Sequence, residues 1–235
     1  MKFYKAGQIP NVGDMYFVYG GKATGKTSLA KQLQGNKLLF SYDGSTNAIS
    51  NTDDIQVIAF GQSDAAQAQQ QTNYWLERML YTTNDEGQRV PTGKFDAIIL
   101  DNVTALQNWV INNLENASKD GRQNWNTVQM WFRDLAMYLR DTKLPVLATA
   151  HELRTELTDA IGTPLFKPDM NDKTFNAFAA PFDVVGHIAI KNGERIIDLD
   201  PEKGNQGANR LDDRKEVKAS ELIISENEEE KNEEQ

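Results

Sequence analysis

Positions 20 to 27 read Gly20-Gly21-Lys22-Ala23-Thr24-Gly25-Lys26-Thr27, which fits the spacing G-x-x-x-x-G-K-[ST]. Each residue type answers a need of phosphate chemistry. Gly20 and Gly25 let backbone N–H groups turn inward around an anion, Lys22, Ala23 and Thr24 complete that cradle, and Lys26 can reach β and γ oxygens. Thr27 offers a hydroxyl to Mg2+, and Ser28 continues into a helix-like stretch whose N-terminal dipole favours the same negative charge. A chance match in a chain of this length has a probability of about 1%, so the loop marks a phosphate-binding site.

A nucleotide held there needs a carboxylate near its metal ion. Asp101 closes the apolar run Ala97-Ile98-Ile99-Leu100 and fits that place, as would an aspartate that merely caps the next helix. Hydrolysis further needs a group that orients or deprotonates water. In many P-loop ATPases this is a Glu directly after the strand-end Asp, but here the position is Asn102, whose amide cannot act as a base. Asp43, ending a different apolar run, is the first replacement, and Glu152 the second. Asp43-Gly44 also fits a plain turn. His151 ends Ala148-Thr149-Ala150 and is placed to sense a γ-phosphate, unless it is structural. His187 reads as an ordinary strand residue, and Trp75, Trp109, Trp125 and Trp131 as core.

These residues must be carried by strands alternating with helices. Strands are expected over 14–20, 37–43, 55–60, 95–101 and 146–151, with 37–43 and 55–60 both buried. Helical spacing covers 26–33, 63–80, 104–115 and 125–140, and Thr82 to Lys94 reads as a loop. Alternation of this kind implies α/β architecture with a mostly parallel sheet covered on both faces. Residues 152 to 181 hold three prolines and no sustained period, which reads as a long loop. That loop carries Arg154, Lys167, Lys173, Phe166 and Phe175, a basic and aromatic mixture suited to single-stranded nucleic acid. Apolar runs either side of Lys191-Asn192-Gly193 form an antiparallel hairpin.

Composition sets the outer limits. The 235 residues include no cysteine, which removes disulfides and thiolate metal sites, and no apolar run is long enough to span a membrane. The expectation is a cytoplasmic protein without a membrane partner. Net charge is −9, but the last fifteen residues hold seven Glu against one Lys, so the other 220 carry only −3. A pI near 4.8 therefore says little about the body's affinity for nucleic acid. The division expected is a core over 1–213 and an acidic, disordered tail over 214–235.

Taken together, the loop, Asp43, Ile98-Ile99-Leu100-Asp101-Asn102, Thr149-Ala150-His151-Glu152 and Phe182-Asp183-Val184-Val185 resemble one family. It is that of the RecA-core ATPases, and within them the phage-type nucleotide-binding proteins related to single-strand annealing and recombinase ATPases. The resemblance runs from about residue 14 to Ala208-Asn209-Arg210. It implies a RecA-like sheet with the strand ending at His151 between the P-loop and Asp101 strands. It also implies ATP and Mg2+ as cofactors and assembly into a ring or filament. By that likeness Asp43 matches a catalytic carboxylate, His151 the γ-phosphate sensor, residues 152 to 181 a DNA-facing loop, and Arg210 a basic residue near nucleotide, its own chain's or a neighbouring copy's. Further implications are annealing or strand exchange on single-stranded DNA, a single-strand DNA-binding protein as partner, and a host cytoplasm if the gene is a phage's. Two other readings stay open: a nucleotide-dependent interaction or loader module, and a small-molecule P-loop kinase, which would need an arginine-rich lid.

Overall fold

The computed structural model describes residues 3–10, 12–50, 54–159 and 161–223. Its centre is β1 (Met15–Gly20), six residues that are all buried because the strand has a parallel neighbour on each side and helices or turns on each face. Those neighbours are β7 (Val146–Thr158) and β9 (Val184–Lys191). Beyond β7 lie β6 (Ala97–Asp101), β2 (Lys37–Ser41) and β3 (Ile55–Ala59), all parallel. Beyond β9 lie β10 (Glu194–Asp198) and β12 (Glu216–Lys218), antiparallel, and β11 (Ala208–Asn209) pairs with the start of β9. The order β12-β10-β9-β1-β7-β6-β2-β3 is the expected α/β, RecA-like arrangement, with the His151 strand between the P-loop and Asp101 strands.

Alternation along β1 splits the core in two. Met15, Phe17 and Tyr19 face a large cluster built with α1 (Ala68–Leu80), α2 (Val103–Asn112), α3 (Gly121–Thr142) and α4 (Asp172–Ala179). There Phe17 meets the rings of Phe175, Phe178 and Phe182 edge-on at 5.3, 6.2 and 5.9 Å. The four tryptophans pack at the margin of this cluster, as core residues. Tyr16 and Val18 face a smaller one with Leu29, Ala30, Leu33, Ala219 and Leu222. No helix among the described residues is long and apolar enough to cross a membrane.

Several expectations need correction. The helix-like stretch after the P-loop is a six-residue 3-10 helix, Thr27–Gln32, ended by a turn through Gly35 at φ 68°. β3 is an edge strand with Val57 40% exposed, so only β2 of that pair is buried. Residues 82–94 contain a small hairpin, β4 (Tyr81–Thr83) with β5 (Arg89–Pro91), turned by Asn84 and Gly87. The largest correction concerns 152–181, which is not a loop. β7 runs on to Thr158, β8 (Pro164–Pro168) returns antiparallel to it, and α4 comes next. Phe175 is therefore core, and Phe166 stacks on His187 at 5.1 Å, so neither ring is free for a base. The Asn192-Gly193 hairpin is present, both residues having positive φ as a tight turn of this hand requires. Nor does the body stop at 213. β12 joins the sheet, Leu222 is fully buried, and the acidic stretch from 224 lies outside the described residues.

Candidate active site

Register brings the candidate residues to one edge. Gly20 pairs with His151, and Asp101 with Ser41, so the P-loop, Asp101, Asp43 and His151 all leave the C-terminal ends of adjacent parallel strands. Gly20 cannot be anything larger: a Cβ there would lie 2.3 Å from the Ile188 carbonyl oxygen of β9. Gly25 has φ 99°, where glycine alone is comfortable. Lys26 is buried and curls back over its own loop, donating to the carbonyls of Gly20 at 2.8 Å and Gly21 at 2.7 Å. Burial lowers its pKa, and the carboxylates of Asp101, Glu152 and Asp43 oppose that shift.

Asp101 is buried, and it accepts hydrogen bonds from the hydroxyls of Thr27 (2.7 Å) and Thr149. Burial raises its pKa; the two hydroxyls pull the other way. Among the described residues no side-chain cation contacts this carboxylate directly, since the Lys26 ammonium is engaged by Gly20 and Gly21. On the adjacent strand, Ser41 Oγ is buried without a hydrogen-bond partner. Among the described residues no three His, Cys, Asp or Glu side chains cluster as a metal cage. One hydroxyl, one costly carboxylate and an orphan hydroxyl suit an ion that keeps most of its water, which is how Mg2+ binds beside phosphates.

Asn102 organises the neighbouring group. Its Oδ1 accepts from the Ala105 N–H at 2.9 Å, capping α2. Its Nδ2 lies 2.5 Å from Asp43 Oδ2 and 3.1 Å from His151 Nε2. One amide hydrogen thus goes to each, which fixes Nε2 of His151 as the acceptor nitrogen. Asp43 Oδ1 accepts from the Ser45 N–H at 2.9 Å, and Thr104 Oγ1 accepts from the His151 N–H at 3.0 Å.

A family model described as an AAA domain matches residues 13–211. The chain belongs to the AAA domain family. That family is one of P-loop ATPases. Among curated proteins none matches the chain. Among solved structures, a KaiC-like protein from the hyperthermophilic archaeon Pyrococcus horikoshii OT3 is similar at 10% identity. The likeness covers 80% of this chain and 78% of that one, with a TM-score of 0.44.

In this AAA domain Glu152 takes a place that sequence did not foresee. Its Oε2 lies 2.6 Å from His187 Nε2, and its Oε1 is 3.0 Å from where a Cβ on Gly21 would be. His187 is indeed a strand residue, but its ring packs on Phe166 and beside Tyr19 and pairs with Glu152 across the end of β1. Arg210 does not join its own chain's site. It follows β11 at the start of β9, the opposite end of the sheet from Gly20, and donates to the Ala180 carbonyl at 3.3 Å. Ser41, Thr149 and His187 were missed because each is an unremarkable polar residue within an apolar run. Only strand register makes them neighbours of Asp101 and Glu152.

Proposed function

We propose that this chain is a Mg2+-dependent ATPase that binds single-stranded DNA and serves annealing or strand exchange in phage-type recombination, working as a ring or filament in the cytoplasm. The observation that carries the catalytic half is the Asn102 amide, which ties the Asp43 carboxylate to His151 beside the P-loop. In this reading Lys26 and the loop N–H groups bind the phosphates, and Thr27 and Asp101 hold the metal's shell. When bound there, Mg2+ would supply charge neutralisation to the phosphates. Asp43 orients and deprotonates the attacking water, and its side chain, one methylene shorter than Glu, makes turnover slow.

His151 and Glu152 stand where β7 leaves the sheet to form the β7–β8 arm, so phosphate state can bias that arm. Arg154, exposed at the base of the arm, offers a cation to a DNA backbone. A second reading, a nucleotide-dependent interaction or loader module, has an observation in its favour. Lys167 is paired with Asp172, while Leu153, Leu157 and Ile161 are 46%, 68% and 88% exposed. Such an arm suits a protein surface, including that of a single-strand DNA-binding protein. A kinase lid would need several arginines, and 152–181 holds one.

ATP hydrolysis by the purified chain, with and without single-stranded DNA and with Lys26→Ala as blank, tests the proposal. Stimulation by DNA is the expected result. Hydrolysis indifferent to DNA, with no DNA binding in any nucleotide state, would rule out the DNA reading and leave the interaction module.

A further inference from the structure

The β9–β10 hairpin outruns the strand that carries the P-loop. β1 ends where Gly20 pairs with Ile188, whereas β9 continues to Lys191 and β10 returns with Arg195 opposite Ile190. Arg195 therefore lies past the end of the P-loop strand. Its side chain lies against that loop: a Cβ on Gly25 would be 2.9 Å from both Cδ and Nε of Arg195, and 3.7 Å from Cζ.

The cations around it are spoken for. Lys191 and Lys203 pair with Glu216, Lys215 with Glu202, and Lys218 with Glu194. Arg195 is exposed on the same part of the sheet, yet among the described residues it has neither an ion pair nor a hydrogen bond. A guanidinium with five unused donors, held on a phosphate-binding loop, has the fork geometry that binds phosphate oxygens.

We infer that Arg195 is a phosphate-contacting residue of its own chain's nucleotide site, closing from the hairpin side the cradle that Gly20 to Thr27 forms below. This rests on the nucleotide reading above. It adds a positive charge that Lys26 alone does not supply, and it makes the hairpin sensitive to whether a polyphosphate is bound.

Binding of ATP, ADP and AMP with Mg2+ by the full chain, measured by calorimetry, tests the assignment. Arg195→Ala should weaken ATP and ADP by about tenfold, the loss of one charge-assisted contact. AMP should change little, Arg195→Lys should recover part of the loss, and the melting temperature should stay put because the residue is exposed. Unchanged ATP affinity in Arg195→Ala, with Lys26→Ala abolishing binding, would overturn the assignment and leave the nucleotide reading standing. Full recovery by the uncharged Arg195→Gln would overturn it too, since packing over Gly25 would then be the cause. Hydrolysis restored by mixing Arg195→Ala with Lys26→Ala chains would place the guanidinium on a neighbouring copy's nucleotide, again overturning it. A parent chain that binds no nucleotide would fell both readings together.

Discussion

Asn102 donates to Asp43 across 2.5 Å, and this contact explains why a carboxylate does not follow Asp101 in this chain. A Glu at 102 would set a second negative charge against Asp43, and like charges that close repel. With an amide at 102 the Asp43 carboxylate is steadied, which suits the proposed reading in which the base sits at the neighbouring strand end. Asn102→Asp should keep the α2 cap, because Asp caps as well as Asn, yet push Asp43 out of place. Asn102→Ala should lose the cap as well, lowering unfolding free energy by about 1 kcal/mol. Urea unfolding and steady-state hydrolysis separate the two: hydrolysis should fall in both variants, stability chiefly in the second. Full activity in Asn102→Asp would refute the tether.

Asp43 and Glu152 compete for the role of base, and the structure distinguishes them by partner. Asp43 is held by an amide and a backbone N–H; Glu152 is engaged by His187. Asp43→Asn should reduce the hydrolysis rate by about a hundredfold or more with ATP affinity kept, the usual cost of losing a general base. Glu152→Gln, still able to pair with His187, should cost much less. The reverse ranking in single-turnover measurements would hand the base to Glu152.

The sequence showed plainly what one strand can show alone. Ala97–Asp101 and Lys37–Ser41 are fully buried runs ending in polar residues, and the P-loop spacing is self-contained. What escaped was whatever needs two strands. Thr149 reaches Asp101 only because Leu100 pairs with Ala148, and Ser41 lies beside it only through strand register. The β7–β8 arm escaped for another reason: most of Leu153 to Thr158 is exposed, so no apolar alternation marks it as a strand. For α4 a signal did exist. Asn171 caps the N–H groups of Lys173 and Thr174, and Phe175 and Phe178 come after it at helical spacing.

Asp101 carries its charge in a place that penalises it. Burial raises its pKa, so its ionised form is a cost to the fold until a cation arrives. Asp101→Asn should therefore leave the nucleotide-free protein as stable or more so, while weakening the effect of Mg2+ on ATP binding by at least about tenfold. Thermal unfolding with and without Mg2+ and ATP measures both. A marked loss of stability in the free protein would mean that the hydroxyls of Thr27 and Thr149 already offset the charge.

Arg89 grips Glu77 with two hydrogen bonds, Nε at 2.6 Å and Nη2 at 2.7 Å, and lies over the Tyr81 ring at 3.2 Å. Tyr138 of α3 adds a third bond to the same carboxylate, so the β4–β5 hairpin is pinned to α1 and α3 through Glu77. The Arg89 hydrogen bonds hold the Glu77 pKa below its ordinary value, ahead of smaller effects from Tyr138 and the Arg89 charge. A carboxylate depressed in the folded state adds stability above its unfolded pKa and loses it as pH falls toward the folded one. Both partners are about half exposed, so the pair is worth less than about 1 kcal/mol. Glu77→Gln should lower unfolding free energy by that amount at pH 7, and the gap to the parent should close as pH falls below about 4. Urea unfolding at neutral pH and again well below the ordinary carboxylate pKa would show it. A gap that persists unchanged in acid would mean that Glu77 holds the hairpin by packing rather than by charge.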